Sequence, residues 1–203
     1  MIDTSCFQAI SLDQMGRVKL MNRTDTKYWF DERSLQHVLN LVTKDYYVLH
    51  IYGVTQLPYA TTYFDTINNE MYIAHQNGKL NRYKVRKRSY EISGLSFLEV
   101  KFKNNKGRTI KERVPTKGTS PDFSSSERDF LQTAIPFSDI ELQATLLNSF
   151  KRITLVNKNF KERCTIDIQI QFVSKQRSVA LDKLVIIEIK TGGSASQSPL
   201  ALA

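Results

Sequence analysis

The chain has 203 residues, 41% of them hydrophobic and 24% charged, and a formal net charge of +9. That length and composition describe one ordinary globular domain with a substantial core, while the charge calls for an anionic partner: nucleic acid, membrane surface or a phosphorylated small molecule. Cys6 and Cys164 stand far apart and His37, His50 and His75 are scattered, which speaks against a zinc site and suits a reducing compartment. No apolar run is long enough to span a bilayer and no signal peptide opens the chain, so the expected location is the cytoplasm, with a membrane protein as a candidate partner.

In chain order, residues 4–15 are expected to form a short helix and Val18 to Phe30 a strand. Asp31 suits a helix N-cap, and Leu35, Val38, Leu39 and Val42 follow at helical spacing. Tyr46 to Gly53 and Tyr59 to Thr66 are rich in β-branched and aromatic residues and predict strands. Asn77-Gly78 is a hairpin signal, so Glu70 to His75 and Leu80 to Tyr90 are expected to be its two strands. Phe97 to Lys103 and Thr109 to Val114 form a second hairpin around Asn104 to Gly107. A Pro-, Gly- and Ser-rich loop spans Pro115 to Ser126. Two capping boxes follow, Ser124 with Glu127 and Ser138 with Glu141, each opening a short helix, with Pro136 between them. Phe150 to Val156, Glu162 to Phe172 and Leu184 to Lys190 are the last strands, and residues 191–203 are expected to be disordered. About eight antiparallel strands with inserted helices predict a single α+β domain built on a β-barrel.

The strand Arg82 to Tyr90 organises the rest. Side chains alternate along a strand, so Arg82, Lys84, Arg86 and Arg88 share one face, and Tyr83, Val85, Lys87 and Ser89 the other. Four cations in a row repel one another and need an anion or wide solvent. The same alternation puts Glu99, Lys101 and Lys103 on one face of their strand, Thr109, Lys111 and Arg113 on theirs, and Arg163, Thr165 and Asp167 on theirs. An open sheet would show these faces to water. A closed barrel with helices outside would line a tunnel with cations, and alternation alone does not separate the two.

An ordered set of segments carries a family resemblance: YFDT at Tyr63 to Thr66, His75 with Asn-Gly, RYKVRKRSY, FLEVK, ERCTID and IIEIK. Over roughly residues 15–190 the chain resembles the VTC domain, the polyphosphate polymerase domain of the triphosphate tunnel (CYTH-like) superfamily. The resemblance implies an antiparallel barrel whose tunnel binds a triphosphate or polyphosphate chain, with Mn²⁺ or Mg²⁺ on a carboxylate and ATP as substrate. It assigns phosphate binding to Arg86, Arg88, Lys101, Arg152 and Arg163. Lys27 matches a phosphate-binding lysine of the family, Lys111 with Arg113 the next basic pair, and Glu188 the metal-ligand glutamate, with Lys190 two residues on; Lys84 and Lys103 share strands with Arg86 and Lys101.

Three departures are visible. Hydrolase relatives carry Glu-x-Glu-x-Lys where this chain has Arg23, Asp25 and Lys27, which favours the polymerase branch. Phe150 stands where the family has a tyrosine. The family continues to a last strand with a Ser-Lys-Tyr-like motif, whereas this sequence reaches Ala203 without it, which would leave a barrel open at one edge and activity weak or absent.

Plainer roles compete. The basic strand could be a solvated edge that resists aggregation. Glu188 could be a structural partner of Lys190, Glu99 could orient Lys101, Asp65 could serve a turn, His75 could sit in a loop, and Tyr83 and Trp29 could simply pack. The competing functions are a tripolyphosphate or nucleoside triphosphate hydrolase of the same fold, a non-catalytic polyphosphate-binding module, and nucleic-acid binding. The last is disfavoured because no nucleic-acid motif appears and few aromatics interleave with the cations.

Overall fold

A computed structural model describes residues 2–18, 23–135, 142–192 and 195–203. The described elements begin with β1 (Gln8–Ile10), α1 (Leu12–Met15), β2 (Thr24–Asp31), α2 (Leu35–Val42), β3 (Tyr46–Leu49) and β4 (Leu57–Asp65). They continue with α3 (Glu70–Gln76), β5 (Arg82–Tyr90), β6 (Leu95–Lys103), β7 (Thr109–Pro115) and α4 (Ser125–Ala134). The last are β8 (Gln143–Asn157), β9 (Glu162–Val173), β10 (Ser178–Leu181), β11 (Leu184–Thr191) and α5 (Pro199–Leu202). The fold is α+β. The hydrogen-bonded path runs β2-β11-β9-β8-β4-β5-β6-β7. The pairs β2–β11, β11–β9, β4–β5, β5–β6 and β6–β7 are antiparallel, and β1 with β3 is a parallel pair beside the path. Among the described residues β7 does not bond back to β2, so hydrogen bonds do not close the sheet as a closed barrel requires.

The chain divides into two compact units. The first holds Met1–Pro58, Phe150–Gln171 and Ala180–Ala203. Its core packs Leu35, Leu39 and Val42 of α2 onto Ile153, Leu155, Ile166, Ile168, Ile187 and Ile189. Asp31 accepts from the Arg33 amide at 2.9 Å, capping a 3-10 turn that leads into α2. Residues 191–203, expected to be disordered, include a 3-10 turn at Ala195–Gln197 and α5. Apolar burial holds both: Ala195 and Leu200 enter the core. Ser198 and Tyr46 both hydrogen-bond the buried Glu162 carboxylate. Burial and that carboxylate push the Tyr46 hydroxyl and Cys164 thiol far up, so both stay neutral.

The second unit holds Tyr59–Ser149 and Phe172–Val179. Phe64, Val85, Leu98 and Val100 form one face of its sheet and bury Met71 of α3 and Leu131 of α4. The Ser124–Glu127 capping box opens α4 as expected. The second capping box, at Ser138 and Glu141 with Pro136 before it, lies outside the described residues.

The expected strand Glu70 to His75 is instead helix α3. Asp65 makes the difference: its carboxylate accepts from the amides of Met71 at 2.9 Å and Tyr72 at 2.8 Å, satisfying donors that a new helix leaves open. Asn77 then caps α3 and Gly78 takes φ +64° beyond it, so Asn-Gly ends a helix rather than turning a hairpin. The hairpin around Asn104 to Gly107 is present, with the Asn104 amide bonding the Arg108 carbonyl at 2.9 Å. The N-terminal helix shrinks to α1 and is preceded by β1, and β10 is an additional short strand paired with β9.

Candidate functional site

In the second unit, register fixes one polar face across four strands. Tyr63, Arg86, Glu99 and Arg113 stand in one cross-strand row, and Lys84, Lys101 and Lys111 in the next. Thr61, Arg88 and Phe97 form the row on the other side. Lys103 lies opposite Arg82. Three lysines directly opposite one another are destabilising unless something anionic joins them.

One carboxylate serves this face. Glu99 is fully buried and accepts from Arg86 Nε at 2.7 Å, while its other oxygen pairs with Lys111. Burial alone would raise its pKa, but Arg86 and Lys111 more than offset that and keep it ionised. Glu99 therefore orients Arg86 and Lys111, not the expected Lys101. Arg86 and Arg88 are each 8% exposed. Arg88 donates to Thr61 Oγ1 at 3.0 Å and lies 5.8 Å over the Tyr59 ring. Arg86 also hydrogen-bonds the Tyr63 hydroxyl. Burial works to raise the pKa of that hydroxyl, and the Arg86 and Arg88 charges outweigh it, so the phenol is more acidic than usual. The sequence alone gives Tyr63 no role beyond its place in YFDT. Its alternation with Thr61 on a strand beside Arg86 was the available signal.

Lys101 is the most perturbed cation here. Burial, then the Arg86 charge, pull its pKa down from 10.5 to about 7. The unfolded chain therefore binds a proton that the folded chain sheds between pH about 7 and 10.5, so this lysine makes stability rise with pH across that window. A bound phosphate reverses the shift. Calorimetry of tripolyphosphate binding at pH 8.5, in two buffers of different ionisation enthalpy, should show uptake of about one proton. The uptake should fade by pH 6 and vanish in Lys101→Met. Binding at pH 8.5 without proton uptake would contradict the role given to Lys101.

His75 is not a loop residue: it sits in α3 with Nε2 3.2 Å from Lys84 Nζ. Tyr83 packs as expected, stacked on Phe102 with centroids 4.6 Å apart.

In the first unit, β11 lies between β2 and β9. Glu188 stands opposite Lys27 on one side and Thr165 on the other, and Lys190 opposite Asp25 and Arg163. Glu188 pairs with Lys190, and Arg152 grips Asp167 through two bonds of 2.6 and 2.7 Å. Burial works against the Glu188 charge, but Lys190, Lys27 and Arg152 more than offset it and hold the carboxyl ionised. Burial and the Arg23 and Arg152 guanidiniums work against the Arg163 charge, so a phosphate there would be stabilising. Phe150 is buried and supports the Arg152 guanidinium at 5.0 Å. Thr165 is 7% exposed, and its hydroxyl has no hydrogen-bond partner among the described residues. Trp29, expected to pack, is 78% exposed two positions along β2 from Lys27.

Glu188 fits a hard divalent cation in charge and donor type. No three His, Cys, Asp or Glu side chains among the described residues converge on a metal position, so the other ligands would be water and phosphate oxygens. No helix among the described residues is long and apolar enough to cross a membrane.

The fold has solved counterparts. HpAC1 from Hippeastrum, named as an adenylyl cyclase and with a dominant triphosphatase activity, matches 85% of this chain and 80% of its own at 12% identity, TM-score 0.50. An adenylate cyclase-like protein of Vibrio parahaemolyticus covers 85% and 79% at 12% identity, TM-score 0.48. A Pyrococcus horikoshii protein covers 86% and 81% at 10% identity, TM-score 0.47. Comparison with curated protein sequences gives no match. The likenesses to solved structures are of fold. The chain belongs to the VTC domain family, matched over residues 22–201.

Proposed function

We propose that the chain transfers the terminal phosphate of ATP to an inorganic polyphosphate chain. The observation that carries this reading is the cationic face of β5, β6 and β7, where one buried carboxylate serves two rows of Arg and Lys. Membership of the VTC domain family supports it, and the triphosphatase activity of HpAC1 supports a phosphoanhydride substrate on this fold.

Phosphoryl transfer asks little covalent chemistry of a protein; it asks for in-line placement and for neutral surroundings at the oxygens that gain charge. Arg86 and Arg88 offer rigid forks that grip phosphate oxygens two at a time. Lys101, Lys84 and Lys111 add point charges along the next row, and Lys103 and Arg113 extend the strip. Glu99 holds Arg86 and Lys111 in place. In the first unit Arg152, Arg163, Lys27 and Lys190 bind phosphate oxygens around Glu188. Mn²⁺ or Mg²⁺ held by Glu188 would neutralise charge on the phosphate oxygens bound in that unit.

The test is incubation of the purified chain with ATP and Mn²⁺, with products resolved on a polyphosphate gel. A ladder of chains is the expected result. Orthophosphate alone would replace this reading with a hydrolase, and intact binding without turnover would replace it with a binding module. The competing nucleic-acid reading predicts duplex DNA binding as tight as polyphosphate of equal charge.

A further inference from the structure

From an aromatic cluster at one end of the cationic face, we infer that Tyr59, Tyr90 and Phe97 form a stacking subsite for the base of a nucleoside triphosphate. This rests on the reading that the same face binds phosphate. Tyr59 and Tyr90 are cross-strand partners on β4 and β5, with ring centroids 5.1 Å apart in edge-to-face geometry. Phe97 on β6 stands opposite Arg88, its ring 6.1 Å from that of Tyr90 and again edge-to-face. By strand alternation all three rings lie on the face that carries Arg86 and Arg88, not on the face packed under α3 and α4. Among the described residues they are members of neither hydrophobic core, and each is only partly buried. Aromatic rings on a face that carries Arg86, Arg88 and Arg113 offer apolar surface to a ligand that is anionic at one end and aromatic at the other.

The spacing agrees. Arg86 and Tyr90 are four residues apart on one strand, about 13 Å. That span suits a terminal phosphate held at Arg86, the remaining phosphates passing Arg88, and the base reaching Tyr90. Arg88 over Tyr59 and Arg113, 4.3 Å over Phe97, border the cluster and lead from phosphate to ring. Base stacking on such rings is tolerant of sequence, so the subsite should distinguish nucleotide from inorganic triphosphate more than one base from another.

The test compares ATP with inorganic tripolyphosphate as ligands for the full chain. Tyr90→Leu and Tyr59→Leu should each weaken ATP binding about 10-fold and leave tripolyphosphate within about 2-fold. If both ligands weaken together, the rings only position Arg88 and the inference is overturned. Unchanged ATP binding in both variants overturns it too, as does a selective loss of ATP binding in Trp29→Leu alone, which would move the base to β2. If the unaltered chain binds neither ligand, the phosphate-binding reading itself fails, an outcome distinct from the others because tripolyphosphate needs no base.

Discussion

Arg88→Ala is expected to lower tripolyphosphate affinity by about 10- to 100-fold and to abolish turnover of ATP. The magnitude follows from the loss of a charge-assisted contact, about 1.5–3 kcal/mol. The fold should tolerate the change. Loss of Arg88 removes a bond to the Thr61 hydroxyl and a contact with the Tyr59 ring, both neutral groups. Arg86→Ala is a less clean experiment, because Glu99 would remain fully buried with Lys111 as its remaining ion-pair partner. Arg88→Lys should recover only part of the affinity, because an ammonium cannot grip two oxygens as a guanidinium does. Near-normal turnover in Arg88→Ala, with an unchanged melting temperature, would remove this residue from the site.

The second large effect is on stability and arises on the opposite face. Lys87 is 1% exposed, and its ammonium lies 3.0 Å from a Glu127 oxygen and 4.9 Å from the Phe123 ring centroid. Glu127, 5% exposed, also accepts from the Ser124 amide at 2.7 Å and from Thr116. Removing one member of a buried pair leaves the other charged and unsolvated, at a cost of about 3–5 kcal/mol. Glu127→Ala should therefore lower the melting temperature by roughly 10 °C in thermal unfolding followed by circular dichroism. Adding Lys87→Met should restore part of it, since no uncompensated charge then stays buried. Burial would raise the Glu127 pKa, but Thr116, Ser124 and Lys87 hold it below 4.5 in the folded chain. Its stabilisation is thus complete above about pH 4.5 and is lost as pH falls through the folded value. A melting temperature unchanged in Glu127→Ala would show that the pair is not closed in solution.

The sequence carried most of the sheet, because its information is local. Period-2 alternation marked β5, β6, β7 and β9, and Asn104 to Gly107 and the Ser124–Glu127 box supplied their own turn and cap chemistry. It failed where a distant group decided. Glu70 to Gln76 is helical because Asp65 caps it, and Asn77-Gly78 serves a helix end and a hairpin equally well. Alternation placed Lys87 on the face of Val85 but could not say that Glu127, 40 residues on, would bury it there. The C-terminal segment looked polar enough for disorder, yet Leu200 and Ser198 reach a core built around Tyr46 and Glu162. At the site, residue types and faces were legible, whereas the partners were not. Nothing in FLEVK says that Glu99 would join Arg86 and Lys111, or that Tyr63 would meet Arg86.

The most direct measurement is a calorimetric titration of the unaltered chain with tripolyphosphate, beside a duplex DNA of equal total charge, at low and moderate salt. The cationic face of β5, β6 and β7 predicts tighter binding of tripolyphosphate, retained at moderate salt, where a nonspecific phosphate-backbone contact would fall away. Equal affinity for the two, falling equally with salt, would contradict it and leave only a basic surface.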